Sequence, residues 1–173
     1  GVAMPLGLLS TTLEDMARFG MLFTPSAAIV ATTEIVTPEV LRLIYDSADR
    51  EGFPGSAKDL SGQKSFGEPA VANSYQFDWV FEDGALAKSG NLNQMIYVDP
   101  GRDFVGVVFS STPYVDGYGE TKMPEFFRRA ARLLPRTALA LVGVMLLLTG
   151  NPEIALVLYA LPLLPGIILH ELS

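Results

Sequence analysis

The chain has 173 residues, a formal net charge of −7, one histidine and no cysteine. That length accommodates one domain with its own core and is short for two. The acidic balance leaves no basic stripe for a phosphate backbone, which excludes nucleic acid as a partner, and the missing thiols exclude a disulfide framework or a thiolate metal site.

The chain opens on Gly1-Val2-Ala3-Met4-Pro5-Leu6-Gly7, with no charged n-region ahead of an apolar stretch, as expected of a piece from within a larger domain. Residues 1–134 mix apolar, polar and charged groups, whereas Thr137 to Leu169 carry one charge, Glu153. The expected division is therefore a globular part, 1–135, and a hydrophobic part, 136–173.

In chain order, Thr11 and Glu14 have the spacing of a capping box, and Leu13, Met16, Ala17, Phe19, Gly20 and Phe23 follow at helical period until Pro25. Thr37-Pro38-Glu39 predicts a second helix with Thr37 as cap, Pro38 in the first turn and Val40, Leu41 and Ile44 on its apolar face. Asp46 to Asn73 is rich in Gly, Ser, Pro and charge and reads as a long loop. Strands are expected over 76–82, 85–89, 94–98 and 103–110, with Asp83-Gly84 as a hairpin turn and Asp99-Pro100-Gly101-Arg102 as a second turn. A last globular helix spans about 123–134, with Phe126, Phe127, Ala130 and Leu133 inward and Arg128, Arg129 and Arg132 outward. The sum is an α+β fold: an antiparallel sheet flanked by helices, followed by hydrophobic helices.

Several of these segments together resemble the C-terminal portion of the β-lactamase-like serine hydrolases, the family of class C β-lactamases, penicillin-binding proteins and related esterases. Leu8 to Gly20 is similar to a helix start in that family's mixed domain. Lys88-Ser89-Gly90, Gln94 to Pro100 and Asp103 to Val108 are similar to its final sheet, in the same order and at similar spacing. The resemblance covers about the first 135 residues and implies hydrolysis of an amide or ester through an acyl-enzyme on a serine. It casts Lys88-Ser89-Gly90 as the family's third active-site motif, with serine in the threonine position. Lys88 would supply fixed positive charge, Ser89 a hydroxyl for a substrate carboxylate, Gly90 close backbone approach, and the Asn91 backbone N–H one oxyanion donor. The implied partner is a small molecule or peptide bearing a carboxylate; no cofactor and no metal is implied. The expected location is membrane-associated, with the catalytic part extracytoplasmic.

The attacking groups do not follow. The one S-x-x-K is Ser61-Gly62-Gln63-Lys64, in the polar stretch read as a loop, where a lysine is not set one turn from a serine. No Tyr-x-Asn occurs, and His170 as the sole histidine leaves no Ser-His-Asp set within the globular part. Asp78, Trp79 and Tyr75 are candidates to line a cleft or to fill the core. The chain alone is therefore expected to be catalytically incompetent.

The hydrophobic part is apolar on all sides over 137–149 and again over 154–169, interrupted by Asn151-Pro152-Glu153. It predicts a helical hairpin meeting a lipid bilayer through residues 137–169. Arg128, Arg129, Arg132 and Arg136 ahead of it favour a cytoplasmic start, against the exported location that the family implies. Gly166 to Ser173 is similar to the start of an H-E-x-x-H helix, with His170 and Glu171 but no second histidine, so it supplies no zinc site. Two other readings stay open: a non-catalytic ligand-binding module on the same sheet, and the leading segment of a membrane zinc metallopeptidase.

Overall fold

The computed structural model describes residues 10–90, 94–110, 122–133, 139–149, 151–161 and 167–169. The expected α+β character is present. A sheet in sequential order carries strands β1 (Ala72–Ser74), β2 (Phe77–Val80), β3 (Leu86–Ser89), β4 (Met95–Asp99) and β5 (Phe104–Ser110), all antiparallel neighbours. Short turns between them explain the meander, since consecutive strands joined by a few residues can only return antiparallel.

Helices cover both faces. On one side, α1 (Leu13–Met21), α2 (Ala27–Val30) and α3 (Pro38–Asp46) lie with a core of Ala17, Met21, Ile44, Val80, Leu86, Ile96, Val98, Val105 and Val107. On the other, α4 (Ala57–Phe66) and α5 (Met123–Leu133) enclose Phe66, Trp79, Ala87, Tyr97, Phe104 and Phe127. Strand alternation sends successive residues to opposite cores. Both faces are buried, so β4 and β5 read as nearly unbroken apolar runs rather than alternating ones.

Several local expectations shift. The first cap is Thr12, not Thr11: its Oγ accepts the Asp15 N–H at 3.0 Å and its hydroxyl donates to the Asp15 carboxylate at 2.9 Å, so Asp15 and not Glu14 stands at the third helical position. The second cap is at Thr37 as expected, accepting from Val40 N. The long loop expected over 46–73 contains α4, capped by Ser56 on Asp59 N and ended by Gly67 in the left-handed region (φ 71°). Those are ordinary start and stop signals, obscured by a helix with little apolar periodicity. In α5 the inward residues are Phe127, Arg128 and Ala131, while Phe126 and Leu133 are exposed. The buried face is rotated because Arg128 finds acceptors inside.

The largest departure concerns the hydrophobic part. In place of helices the structure has strands β6 (Leu139–Thr149), β7 (Asn151–Leu161) and β8 (Ile167–Leu169), β6 running parallel to β5 and the rest antiparallel. An apolar run without period fits a strand as well as a helix, and the pairing of Thr149 with Asn151 sets where the chain reverses. The parallel step from β5 to β6 requires a crossover, and α5 lies within it. Among the described residues, no helix is long and apolar enough to cross a membrane. Arg136, His170 and Glu171 lie outside the described residues.

Candidate functional site

The Lys88-Ser89-Gly90 segment ends β3 at a point where the sheet opens. Toward β4 the pairing continues through Lys88↔Ile96 and Ser89↔Met95. Toward β2 it runs through Val80↔Leu86 and Trp79↔Ala87, and beyond that pair a side chain takes over the acceptor role. Ser89 N–H donates to Asp78 Oδ2 at 2.9 Å, and the Ser89 hydroxyl donates to the same oxygen at 2.7 Å. Lys88 Nζ donates to Asp78 Oδ1 at 3.0 Å. The hairpin register puts Asp78 opposite Lys88, so this ion pair follows from the Asp83-Gly84 turn.

A fourth donor arrives from α4. Lys58 Nζ lies 3.1 Å from Asp78 Oδ2 and 3.4 Å from Ser89 Oγ. It is fixed at its base by Trp79, whose Nε1–H donates to the Lys58 carbonyl at 2.8 Å and whose ring lies 5.1 Å from the ammonium. Gly62, one turn on, makes this docking possible: a Cβ there would fall 2.7 Å from Trp79 Cδ1 and nearer still to Nε1. Trp79 is therefore wholly buried core against Phe66 rather than a cleft wall.

The result is one carboxylate receiving two ammonium groups, one hydroxyl and one backbone N–H. Burial pushes the Asp78 carboxyl up, but the two Ser89 hydrogen bonds, Lys88 and the charge of Lys58 together hold it below the usual carboxylate range. The Ser89 hydroxyl proton is committed to Asp78, so Ser89 is a donor in this site and not an activated nucleophile.

Beside this cluster lies a small cavity of about 120 Å³, bordered by Lys88-Ser89-Gly90 and walled by Met16, Met95, Ile96 and Phe109. Gly90 N–H donates to the Gln94 carbonyl at 2.7 Å. A methyl on Gly90 would meet Gln94 Cβ at 3.4 Å, an ordinary contact, so neither that nor a left-handed backbone demands glycine here. Asn91, expected as an oxyanion donor, lies outside the described residues.

Ser61 and Lys64 are in α4, correcting the loop expected there, and their spacing does set them one turn apart. Ser61 is nevertheless interior to the helix, not at its N-terminus, and its hydroxyl donates to the Lys58 carbonyl at 3.1 Å. That is a helix-interior back-bond, and it gives no support to a nucleophile. Tyr75 occupies the β1–β2 turn with a left-handed backbone (φ 48°) and an exposed side chain, at the same end of the sheet as Ser89. Lys58 lies in the stretch whose composition reads as a loop, and the Ser56-x-x-Asp59 cap is the sequence signal for its helix.

A second, larger cleft of about 600 Å³ lies at the other end of β4, among Phe23, Ala27, Ala31, Val36, Leu41 and Pro100. It brings together no catalytic set. Among the described residues no group of His, Asp and Glu is placed to hold a metal ion. No protein-family model, curated protein or solved structure matches the chain.

Proposed function

We propose that this chain carries one wall of the acyl-transfer site of a β-lactamase-like serine hydrolase, acting on amide or ester substrates that bear a carboxylate. The observation that carries the reading is the convergence of Lys88, the Ser89 hydroxyl and the Ser89 N–H on one carboxylate at an open strand end. This is the donor set that the third motif of such a site needs. The attacking serine and its base are not supplied by these residues: Ser61 is helix-interior, and the Ser89 proton is engaged.

The test is binding without turnover. Benzylpenicillin is expected to bind the full chain reversibly, with no covalent mass increase, and Lys88→Ala is expected to weaken binding about tenfold, the effect of losing one charged hydrogen bond. Absence of binding would sink the reading, and an acylated serine would overturn its claim that the chain lacks the nucleophile. The same profile fits a ligand-binding module that never acylates. The two part on a longer chain, where an upstream S-x-x-K and Tyr-x-Asn would make the site hydrolytic. A membrane-associated, extracytoplasmic placement belongs to the same proposal and rests on the resemblance and on the apolar content of residues 137–169.

A further inference from the structure

Asp78 and Lys58 carry two of the three charges at the site, and the proposal above gives neither a role. Asp78 does not merely balance Lys88. Its two oxygens receive Lys88, Lys58, the Ser89 hydroxyl and the Ser89 N–H, the set a substrate carboxylate would use. The geometry points to a two-cation carboxylate seat, Lys58-Lys88-Ser89, in which Asp78 is the resident ligand, displaced from the Ser89 donors when a substrate carboxylate enters from the adjoining cavity. The inference rests on the proposal that this strand end is a substrate wall, and it adds a specificity-determining residue, Asp78, and a second cation, Lys58.

Three features favour exchange over a fixed structural ion pair. The lysine side chains are 36% and 40% exposed whereas that of Asp78 is 11% exposed, so the cations are more open to solvent than their present partner. Both lysines approach on flexible four-carbon stems that can follow a new anion. The cavity beside Ser89, about 120 Å³, is large enough for a carboxylate with a short substituent. Met16, Met95, Ile96 and Phe109 make that substituent apolar. The ligand chemistry is thus a small carboxylate bearing a short apolar substituent, for which an N-acyl amino acid serves as a probe. Asp78 lowers its affinity, because binding must displace an intramolecular competitor.

The probe is N-acetyl-D-alanine, titrated into the full chain while Trp79 emission is followed, with N-acetyl-D-alaninamide as the neutral control. Trp79 is the sole tryptophan and touches Lys58. Asp78→Asn is expected to bind the acid at least tenfold more tightly than the wild type does, with the amide unchanged. Lys58→Met is expected to weaken the acid about tenfold in the wild-type background. That variant decides the two-cation seat even where Asp78→Asn fails to fold. Equal affinity of Asp78→Asn and wild type for the acid would overturn the role of Asp78 while leaving the substrate-wall reading intact. An unchanged affinity in Lys58→Met would remove Lys58 from the seat. Failure of both wild type and Asp78→Asn to bind the acid would overturn the inference and the substrate-wall reading together.

Discussion

At the scale of single residues, Gly62 shows how a site is set by what is left out. A glycine inside an exposed helix ordinarily costs about 1 kcal/mol relative to alanine, so Gly62→Ala would be expected to stabilise α4. Here the new methyl would fall on the Trp79 indole, and Trp79 holds the Lys58 carbonyl. Overpacking of this kind costs about 1–3 kcal/mol. Gly62→Ala is therefore expected to lower stability in urea despite its better propensity. It is also expected to red-shift Trp79 emission as the indole loses its buried seat. A stabilised variant with unchanged emission would show that α4 is not docked through this contact. The same steric logic applies at Gly106, where a Cβ would lie 2.6 Å from Phe127 Cδ1.

At the scale of elements, α5 is tied to the sheet by charge as well as by apolar packing. Arg128 is almost fully buried. It donates to Glu68, to Asp83 at 2.9 and 3.1 Å and to the Tyr97 hydroxyl at 3.0 Å, with its guanidinium 4.2 Å from the Phe81 ring. Arg132 shares Glu68, and Arg102 bridges Asp83 and Asp99. Removing one partner of a buried pair costs about 3–5 kcal/mol when the other is stranded. Glu68 and Asp83 each keep a second arginine, so Arg128→Met is expected to cost about 2–3 kcal/mol, read as a lower urea midpoint. A loss within about 0.5 kcal/mol, the range of ordinary surface changes, would mean that α5 is held by Phe127 and Ala131 alone. This network also marks the limit of what the sequence discloses. The Thr37-Pro38 cap, the Asp83-Gly84 hairpin and the strand meander were legible because their signals are local. Helical period alone treats every arginine as solvent-facing and so places Arg128 outward, whereas its acceptors lie 60 and 45 residues away in the chain. Helix α4 is hard to read for the opposite reason: caps mark it and apolar period does not. Lys88-Ser89-Gly90 was legible as a motif, but its partner Lys58 became visible only once α4 was in place.

At the scale of the whole molecule, paired carboxylates join the layers. Asp78 links β2 to α4 and β3, Asp83 links the β2–β3 turn to α5, and Glu68, just after α4, is held by α5. For each of the three, burial raises the carboxyl pKa, but hydrogen bonds and nearby cations lower it further, so the net shift is downward. A carboxyl whose folded pKa lies below its unfolded value adds stability that is complete above the unfolded value and disappears as pH falls through the folded one. With ordinary values of 3.8 for aspartate and 4.5 for glutamate, the contribution is intact at pH 6 and drains away below about pH 4. On the alkaline side, burial first and then the charges of Asp99 and Asp83 push Tyr45 up to about 12, while its hydroxyl donates to the Gly84 carbonyl at 2.6 Å. A raised tyrosine contributes fully below its ordinary value of 10.0 and is lost as pH climbs through 12. The expected urea-midpoint profile is flat with respect to these groups from pH 6 to 9, with a steep acid limb and a shallower alkaline one. Asp83→Asn is expected to flatten the acid limb more than Asp49→Asn, because Asp83 has two arginine partners while Asp49 serves the Gly52 N–H. An acid limb of equal slope in the two variants would remove the charge network from the account of how the layers stay together.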